Sequence, residues 1–380
     1  MTSISKNEED VVIVAAYRTP FGKASKGSFK NITVDYLLYT AISGSLNRAN
    51  ISPELIEEVV LGNVLCNSGG TIESRMACLR SGIPVSTPVM TINRQCGSGL
   101  EAVYNIVQKI REGSIEVGMA GGFESMTKNM MPNSYDTCTE VQKDENAKDC
   151  LLSMGMVSEN MAEIFNILRN VADIYATKSQ NRAVLSKNKF QNEIIPVKID
   201  GIEVFEDDGI RNTSVDSLAK LRPAFKENGV STAGNSSQLS DGAAIVILMK
   251  RKTAIKLGCS ISGVFIDYCA VGVEPGIMGI GPVKAIPKLL KRNNLEVDDI
   301  SVFEINEAFA VQAICCIEEL HLDTDKVNKY GGSIALGHPL GASGARLIGT
   351  ILNIMNSGDL GVVSLCVGTG MGVAALIRKE

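Results

Sequence analysis

The feature that most narrows the folds open to this chain is a repeat within it. A gapless offset of 244 positions lays Ala41-Ile42, Leu46, Arg48, Asn50 and Ile56 on Ala285-Ile286, Leu290, Arg292, Asn294 and Ile300. An offset of 245 then lays Ser98-Gly99 on Ser343-Gly344 and Val117 on Val362. Each match is weak alone, but both stretches keep the same order, which marks a duplicated unit. The expectation is two similar α/β halves packed about a pseudo-twofold axis. With 380 residues and 45% hydrophobic content, the chain can bury a core of that size, and its length suits two or three domains.

Local patterning fills in the first half. Val11 to Ala16 is a short apolar run suited to a buried strand, followed by the turn Arg18-Thr19-Pro20-Phe21-Gly22. Val34 to Arg48 has helical spacing, Asn50 to Pro53 starts a second short helix, and Glu58 to Val64 and Pro88 to Ile92 read as strands. Leu100, Ala102, Val103, Ile106, Val107 and Ile110 fall on one helical face, and a strand from Glu116 to Ala120 ends in Gly121-Gly122. Phe123 to Leu239 has no counterpart in the second half. It carries the charged run Gln142 to Asp149 and helical segments at Ser158 to Phe165 and Arg169 to Asn188. We therefore expect an N-terminal half over 1–122, completed by 240–260, a loop domain over 123–239, and a C-terminal half over 261–380. The small polar stretch Thr232 to Ala244, leading into the apolar run Ile245 to Met249, suits backbone contact with a ligand.

Composition excludes several function classes. A net charge of −5 and eight Tyr, ten Phe and no Trp give neither a basic face nor an aromatic platform for nucleic acid. A local basic patch for a phosphate-bearing ligand stays compatible with that charge. The ten cysteines lack the paired spacing of a disulfide framework or a zinc site, which suits a reducing compartment. No run of about 18 apolar residues suggests a membrane span. Met1 to Asp10 is polar and acidic rather than a secretory or transit segment, and Arg378-Lys379-Glu380 is not the usual peroxisomal tripeptide.

Four separated stretches carry candidate chemistry. Asn93-Arg94-Gln95-Cys96-Gly97-Ser98-Gly99 puts a cysteine at a helix start, where free N–H groups and the helix dipole favour a thiolate. The others are Glu304-Ile305-Asn306-Glu307-Ala308-Phe309, the glycine-rich Gly331 to Gly341 containing His338, and Cys366-Val367-Gly368-Thr369-Gly370. If the halves face each other, these loops converge on Cys96, His338, Asn306 and Cys366, and the Gly368 N–H faces an oxyanion. Of the two histidines, His321 lies in a charged segment and reads as a solvated helix-end residue. His338 lies among glycines that cost stability unless the backbone needs them. Most of the other cysteines read as small buried hydrophobes, with Cys315-Cys316 inside a helical run.

Over essentially its whole length the chain resembles the thiolase family, on these four stretches, their order and their spacing. It is most similar to the peroxisomal-type 3-ketoacyl-CoA thiolases through Cys150 to Gly155, Ser158-Glu159-Asn160, Leu218 to Phe225, Thr232 to Ala244 and Met278 to Pro282. The resemblance implies a five-layered α-β-α-β-α fold with an inserted loop domain and an acyltransferase that cleaves 3-ketoacyl-CoA with coenzyme A. It implies Cys96 as nucleophile, Cys366 as acid and base, and His338 with Asn306 at one oxyanion site. Backbone N–H groups of Cys96 and Gly368 would form the other. It further implies Ser237 at the pantetheine, Met154 at the acyl-pocket floor and Arg211, reached with a one-residue gap, at the adenine. No permanently bound cofactor is implied, and a homodimer or homotetramer is. The peroxisome and the cytoplasm both stay open as compartments.

Three positions depart from the branch patterns. Ser153 stands where short-chain biosynthetic members carry histidine, Gln238 replaces a common glycine as in the peroxisomal type, and Gly97 follows the nucleophile as in the biosynthetic branch. The alternatives are an acetoacetyl-CoA-specific biosynthetic thiolase, a decarboxylating ketoacyl synthase and a noncatalytic acyl-CoA carrier. The synthase generally needs a second active-site histidine or a different residue at Cys366, and a carrier tends to lose a catalytic residue.

Overall fold

The computed structural model describes residues 6–131 and 134–380. The first five residues of the polar opening segment lie outside the described residues. Strands β1 (Val11–Arg18), β2 (Gly22–Lys23), β3 (Glu58–Gly62), β4 (Val89–Ile92) and β5 (Val117–Ser125) open the chain. The middle segment adds a hairpin of β6 (Val197–Ile199) and β7 (Ile202–Val204), after which β8 (Ser240–Lys250) returns beside β1 and β5. The remainder supplies β9 (Gly263–Gly272), β10 (Val302–Ile305), β11 (Leu360–Val367) and β12 (Met371–Lys379).

Hydrogen bonding joins these strands, apart from the hairpin, in the order β10-β11-β12-β9-β1-β8-β5-β3-β4, with β2 on β8. Outward from the middle, β1-β8-β5-β3 and β9-β12-β11-β10 repeat one pattern: two antiparallel pairings, then a parallel one. The two halves therefore share one topology, as the internal repeat requires. Within the sheet, strands of the two halves pair at Val12 with Val264 and Ile13 with Gly263. Beyond β3 lies β4, whereas the matching place beyond β10 holds a single bridge from Phe303 to Val327.

Three helical layers enclose and separate the half-sheets. The Val34–Ala49 and Thr71–Arg80 helices cover one outer face, and the Gly281–Arg292 and Ala310–Glu319 helices cover the other. Between the sheets lie the Ser98–Glu112 and Leu340–Ile354 helices, whose apolar residues share one core with strand residues of both halves. Leu100, Val103, Ile106, Val107 and Ile110 are all fully buried there, which is why their spacing was legible as a helix. The result is the five-layered α-β-α-β-α arrangement. Among the described residues no helix is long and apolar enough to cross a membrane.

The two central helices touch backbone to backbone. A Cβ on Gly99 would lie 2.5 Å from Gly341 O and 3.1 Å from Ala345 N, and one on Gly344 would lie 2.3 Å from Leu100 N. Gly99 and Gly344 are partners under the repeat, so each half presents the same small residue to the other.

The structure corrects several local expectations. The strand expected to end at Gly121-Gly122 runs on to Ser125. Those glycines serve close approach rather than a turn, since a Cβ would lie 2.1 Å from Ala244 O at Gly121 and 1.9 Å from Gly341 O at Gly122. The short helix expected over Asn50 to Pro53 is one 3-10 turn, Pro53–Leu55. The helix that follows the glycine-rich loop starts at Leu340, directly after Pro339. His321 is exposed, just past the Ala310–Glu319 helix, as its charged surroundings suggested.

Gly344→Val should force the central helices apart and cost on the order of 3 kcal/mol. Thermal or urea unfolding measures this, and an unchanged midpoint would mean that the helices are not in backbone contact.

Candidate active site

The turn between β4 and the Ser98–Glu112 helix is tightly wired. Ser98 Oγ accepts from Arg94 N at 2.9 Å and donates to Gln95 O at 2.6 Å, while Asn93 Oδ1 accepts from Gln95 N at 2.9 Å. These bonds hold Gln95 at φ 46, a left-handed conformation that a non-glycine residue rarely adopts. The next residue is Cys96, which is thereby aimed across the interface between the halves. A Cβ on Gly368 would sit 3.6 Å from Gln95 Cγ, so the cysteine turns of the two halves lie against each other.

Cys96 is 8% exposed and packs with Met126 and Leu340, with Val64 and Leu65 alongside. The Gly368 amide and its own amide donate to the Cys96 sulfur, but burial prevails and pushes the thiol up to about 11. This corrects the expectation of a resting thiolate. The helix begins two residues later, at Ser98, and loss of solvent outweighs the dipole at that distance.

Cys366 lies at the end of β11, fully buried, in an apolar cluster with Val157, Met278, Ala308 and Phe309, flanked by Leu152 and Met154. Burial, then the neighbouring Cys96 thiol, raises the Cys366 thiol well above the usual range. The turn that follows holds Thr369 and Gly370 at positive φ, which reverses the chain into β12.

Asn306 and His338 meet in the same buried region. Asn306 Nδ2 lies 3.3 Å from His338 Nε2, and His338 Nδ1 lies 2.6 Å from Ser343 Oγ. Ser343 donates its own proton to Pro339 O at 2.9 Å, so its oxygen must accept from His338 Nδ1–H. The Nε2 lone pair is left facing Asn306. Ser333 donates to Asn306 Oδ1 at 2.7 Å and accepts from Arg346 at 2.8 Å, which fixes the amide with its NH2 toward the histidine. Burial, helped by the Arg346 charge, lowers the imidazole to about 3, so the ring is neutral at physiological pH.

Glu307 anchors this region by accepting from Tyr175 Oη, Ser179 Oγ, Asn328 Nδ2 and Ile334 N at 2.7 to 3.2 Å. Ser237 N donates to Ala308 O at 2.9 Å and Ser236 bridges Phe309, so the 232–244 stretch borders the Cys366 cluster. Met154 opens the Met154–Ile164 helix, capped by Ser153, and packs on the same cluster. Arg211 is exposed, with its guanidinium on Gly209 O at 3.1 Å, and Gly209 lies against Ala335 and Gln238.

Sequence reasoning did not single out Ser333, Ser343, Ser240 or Gln95. Ser333 and Ser343 each lie five residues from His338, and Ser343 is also the partner of Ser98 under the repeat. Ser240 accepts from His338 N at 3.2 Å and fixes the loop. Among the described residues no group of three or more His, Cys, Asp or Glu is placed to hold a metal ion. All ten cysteines are free; Cys138 is exposed and Cys150 and Cys259 are half-buried, while the other seven are buried.

A duplicated α/β core with two facing thiols and a neutral imidazole at their interface defines an acyltransferase working through sulfur. Comparison with known proteins agrees. Residues 11–252 match the thiolase N-terminal domain and residues 259–379 the thiolase C-terminal domain. The peroxisomal 3-ketoacyl-CoA thiolase of Encephalitozoon cuniculi is 52% identical over 378 residues, spanning 98% of this chain and 96% of that protein. That of Saccharomyces cerevisiae is 49% identical, spanning 99% and 93%. Among solved structures, the dimeric peroxisomal thiolase of Saccharomyces cerevisiae superposes with a TM-score of 0.96, covering 99% of each chain at 49% identity. Human mitochondrial 3-ketoacyl-CoA thiolase in complex with CoA gives 0.88, covering 98% of each chain at 36% identity. The chain belongs to the thiolase family.

With two histidines in the chain, a histidine-labelled sample should yield one ring that stays neutral and Nδ1-protonated down to about pH 5, well below an unperturbed imidazole. The sign follows from the lowered proton affinity of His338: the ring binds its second proton only near the value of about 3. NMR of the ring nitrogens checks this, and protonation of both rings at about pH 6 would contradict it.

Proposed function

We propose that the protein cleaves 3-ketoacyl-CoA with coenzyme A, giving acetyl-CoA and a shortened acyl-CoA. The observation that carries this is the Cys96 and Cys366 pair at the interface of the halves, with a neutral His338 held beside Asn306. The names of the relatives support the same reaction and favour it over an acetoacetyl-CoA-specific enzyme. Coenzyme A enters as a substrate. Ser237, Met154 and Arg211 are assigned to the pantetheine, acyl-pocket and adenine contacts. The division into 1–122 with 240–260, 123–239 and 261–380 assigns CoA binding to the middle segment.

In the resting site both partners are neutral, a thiol and an imidazole. His338 Nε2 takes the Cys96 proton as the sulfur attacks the ketone carbon, and the charge that develops on oxygen is met by preorganised donors. The bond between the α and β carbons breaks, leaving an acyl group on Cys96 and the enolate of acetyl-CoA, which takes a proton from Cys366. An incoming CoA thiol gives its proton to Cys366 and its sulfur displaces Cys96 from the acyl group, and the departing Cys96 sulfur takes its proton back from His338. Asn306 and His338 polarise one thioester oxygen, and the N–H groups of Cys96 and Gly368 the other. The buried apolar side chains around Cys366 exclude water, which would otherwise drain the acyl intermediate.

We assign the chain to homodimers in the peroxisome, following the relatives named above. β4 supports the dimer: it ends the sheet with no strand beyond it among the described residues, and Met90 on it is 37% exposed. Sedimentation should then give a species of twice the 40.5 kDa chain mass, and a monomer at working concentration would refute it.

Cys96→Ala should abolish CoA-dependent cleavage of acetoacetyl-CoA, by at least about 1,000-fold. Mass spectrometry of the wild type incubated with acetyl-CoA should find an acetyl group on the Cys96 peptide. Full turnover in the variant, or no adduct in the wild type, would remove the nucleophile assignment.

A further inference from the structure

Glu124, near the end of β5, is a buried carboxylate that the proposed reaction does not use. Its two oxygens are fully committed. Oε1 accepts from Asn63 Nδ2 at 3.2 Å and Leu65 N at 3.1 Å, while Oε2 accepts from Val64 N and Gly341 N, both at 3.1 Å. Val64, Leu65 and Leu340 all pack around Cys96. Gly341 belongs to the first turn of the helix that follows His338, and a Cβ there would lie 2.5 Å from Gly62 O and 2.6 Å from Phe123 O. One side chain thus ties the nucleophile's surroundings in the first half to the histidine loop of the second. No cation pairs with it among the described residues; backbone amides and the helix N-terminus hold the charge instead.

We propose that Glu124 is a positioning residue: its ionised carboxylate clasps Gly341 to Val64 and Leu65 and so sets His338 over Cys96. The inference rests on the assignment of Cys96 as nucleophile. The charge has a second effect, smaller than that of burial: it adds to the opposition to Cys96 ionisation. The titratable groups facing Glu124 are the Cys66 thiol from the 63–66 loop and the Cys96 thiol. Burial raises the carboxyl to about 7, so the clasp loosens as pH falls through neutrality.

Geometry separates the substitutions. Glu124→Gln replaces one oxygen by an NH2 group, and in either orientation that group faces two N–H donors, so two of the four bonds that make the clasp are lost together with the charge. Glu124→Asp keeps the charge but cannot span both loops. We expect Glu124→Gln to lower kcat about 100-fold with KM nearly unchanged. The pH midpoint for iodoacetamide alkylation of the Cys96 peptide should also fall. Glu124→Asp should lower kcat with the alkylation midpoint in place. A Glu124→Gln enzyme within about twofold of wild-type kcat, or one that loses kcat without moving the midpoint, overturns the proposal. If neither variant folds, wild-type alkylation decides: an inflection near pH 7 supports the clasp, and its absence overturns it. An acyl group on wild-type Cys96 tests the nucleophile assignment separately, so the two failures are distinguishable.

Discussion

Everything in this molecule depends on two helices that approach until their backbones touch. The Ser98–Glu112 and Leu340–Ile354 helices form the layer shared by both half-sheets, and Gly99 and Gly344 set their separation. The same contact sets the geometry on which the proposed chemistry rests, because Cys96 lies two residues before one helix and His338 two residues before the other. Larger residues at the crossing would move the two reactive groups apart by the thickness they add. Close packing here therefore serves position as much as stability.

The site is built on neutral groups kept out of water. Burial holds Cys96 as a thiol and His338 as a free base, so neither charge exists until a substrate arrives to share it. The hydrogen-bond chain from Arg346 through Ser333 and Asn306 to His338 has one consistent direction, which leaves Nε2 unprotonated. A resting thiolate would be open to oxidation and alkylation. In the proposed reaction, a thiol with its base in waiting has reactivity conditional on the substrate.

Much of this was legible in the sequence, and the limits have physical causes. The repeat gave the two-half topology because each half folds by its own local pattern, so order along the chain survives as order in the sheet. Cys96, Asn306, His338 and Cys366 stood out because reactive residues among glycines are costly without a purpose. The protonation state of Cys96 was misjudged because desolvation comes from Met126 and Leu340, which are distant in sequence. Ser333, Ser343 and Glu124 act through hydrogen bonds whose partners are fixed only by tertiary packing. Gly121-Gly122 reads as the end of a strand because a glycine needed for close approach leaves the same letter as one that interrupts a strand.

The halves match except at their rims. On the outer side of β10, Phe303 N donates to Lys326 O, Asn328 N returns to Phe303 O, and the Asn328 side chain fills the remaining places at Ile305. That margin is sealed, while β4 leaves the other unsealed. A strand sheet open at both margins invites endless addition of further chains. With one margin closed, association through the other uses the same surface from each molecule, stops at a pair, and gives no template for a fibre.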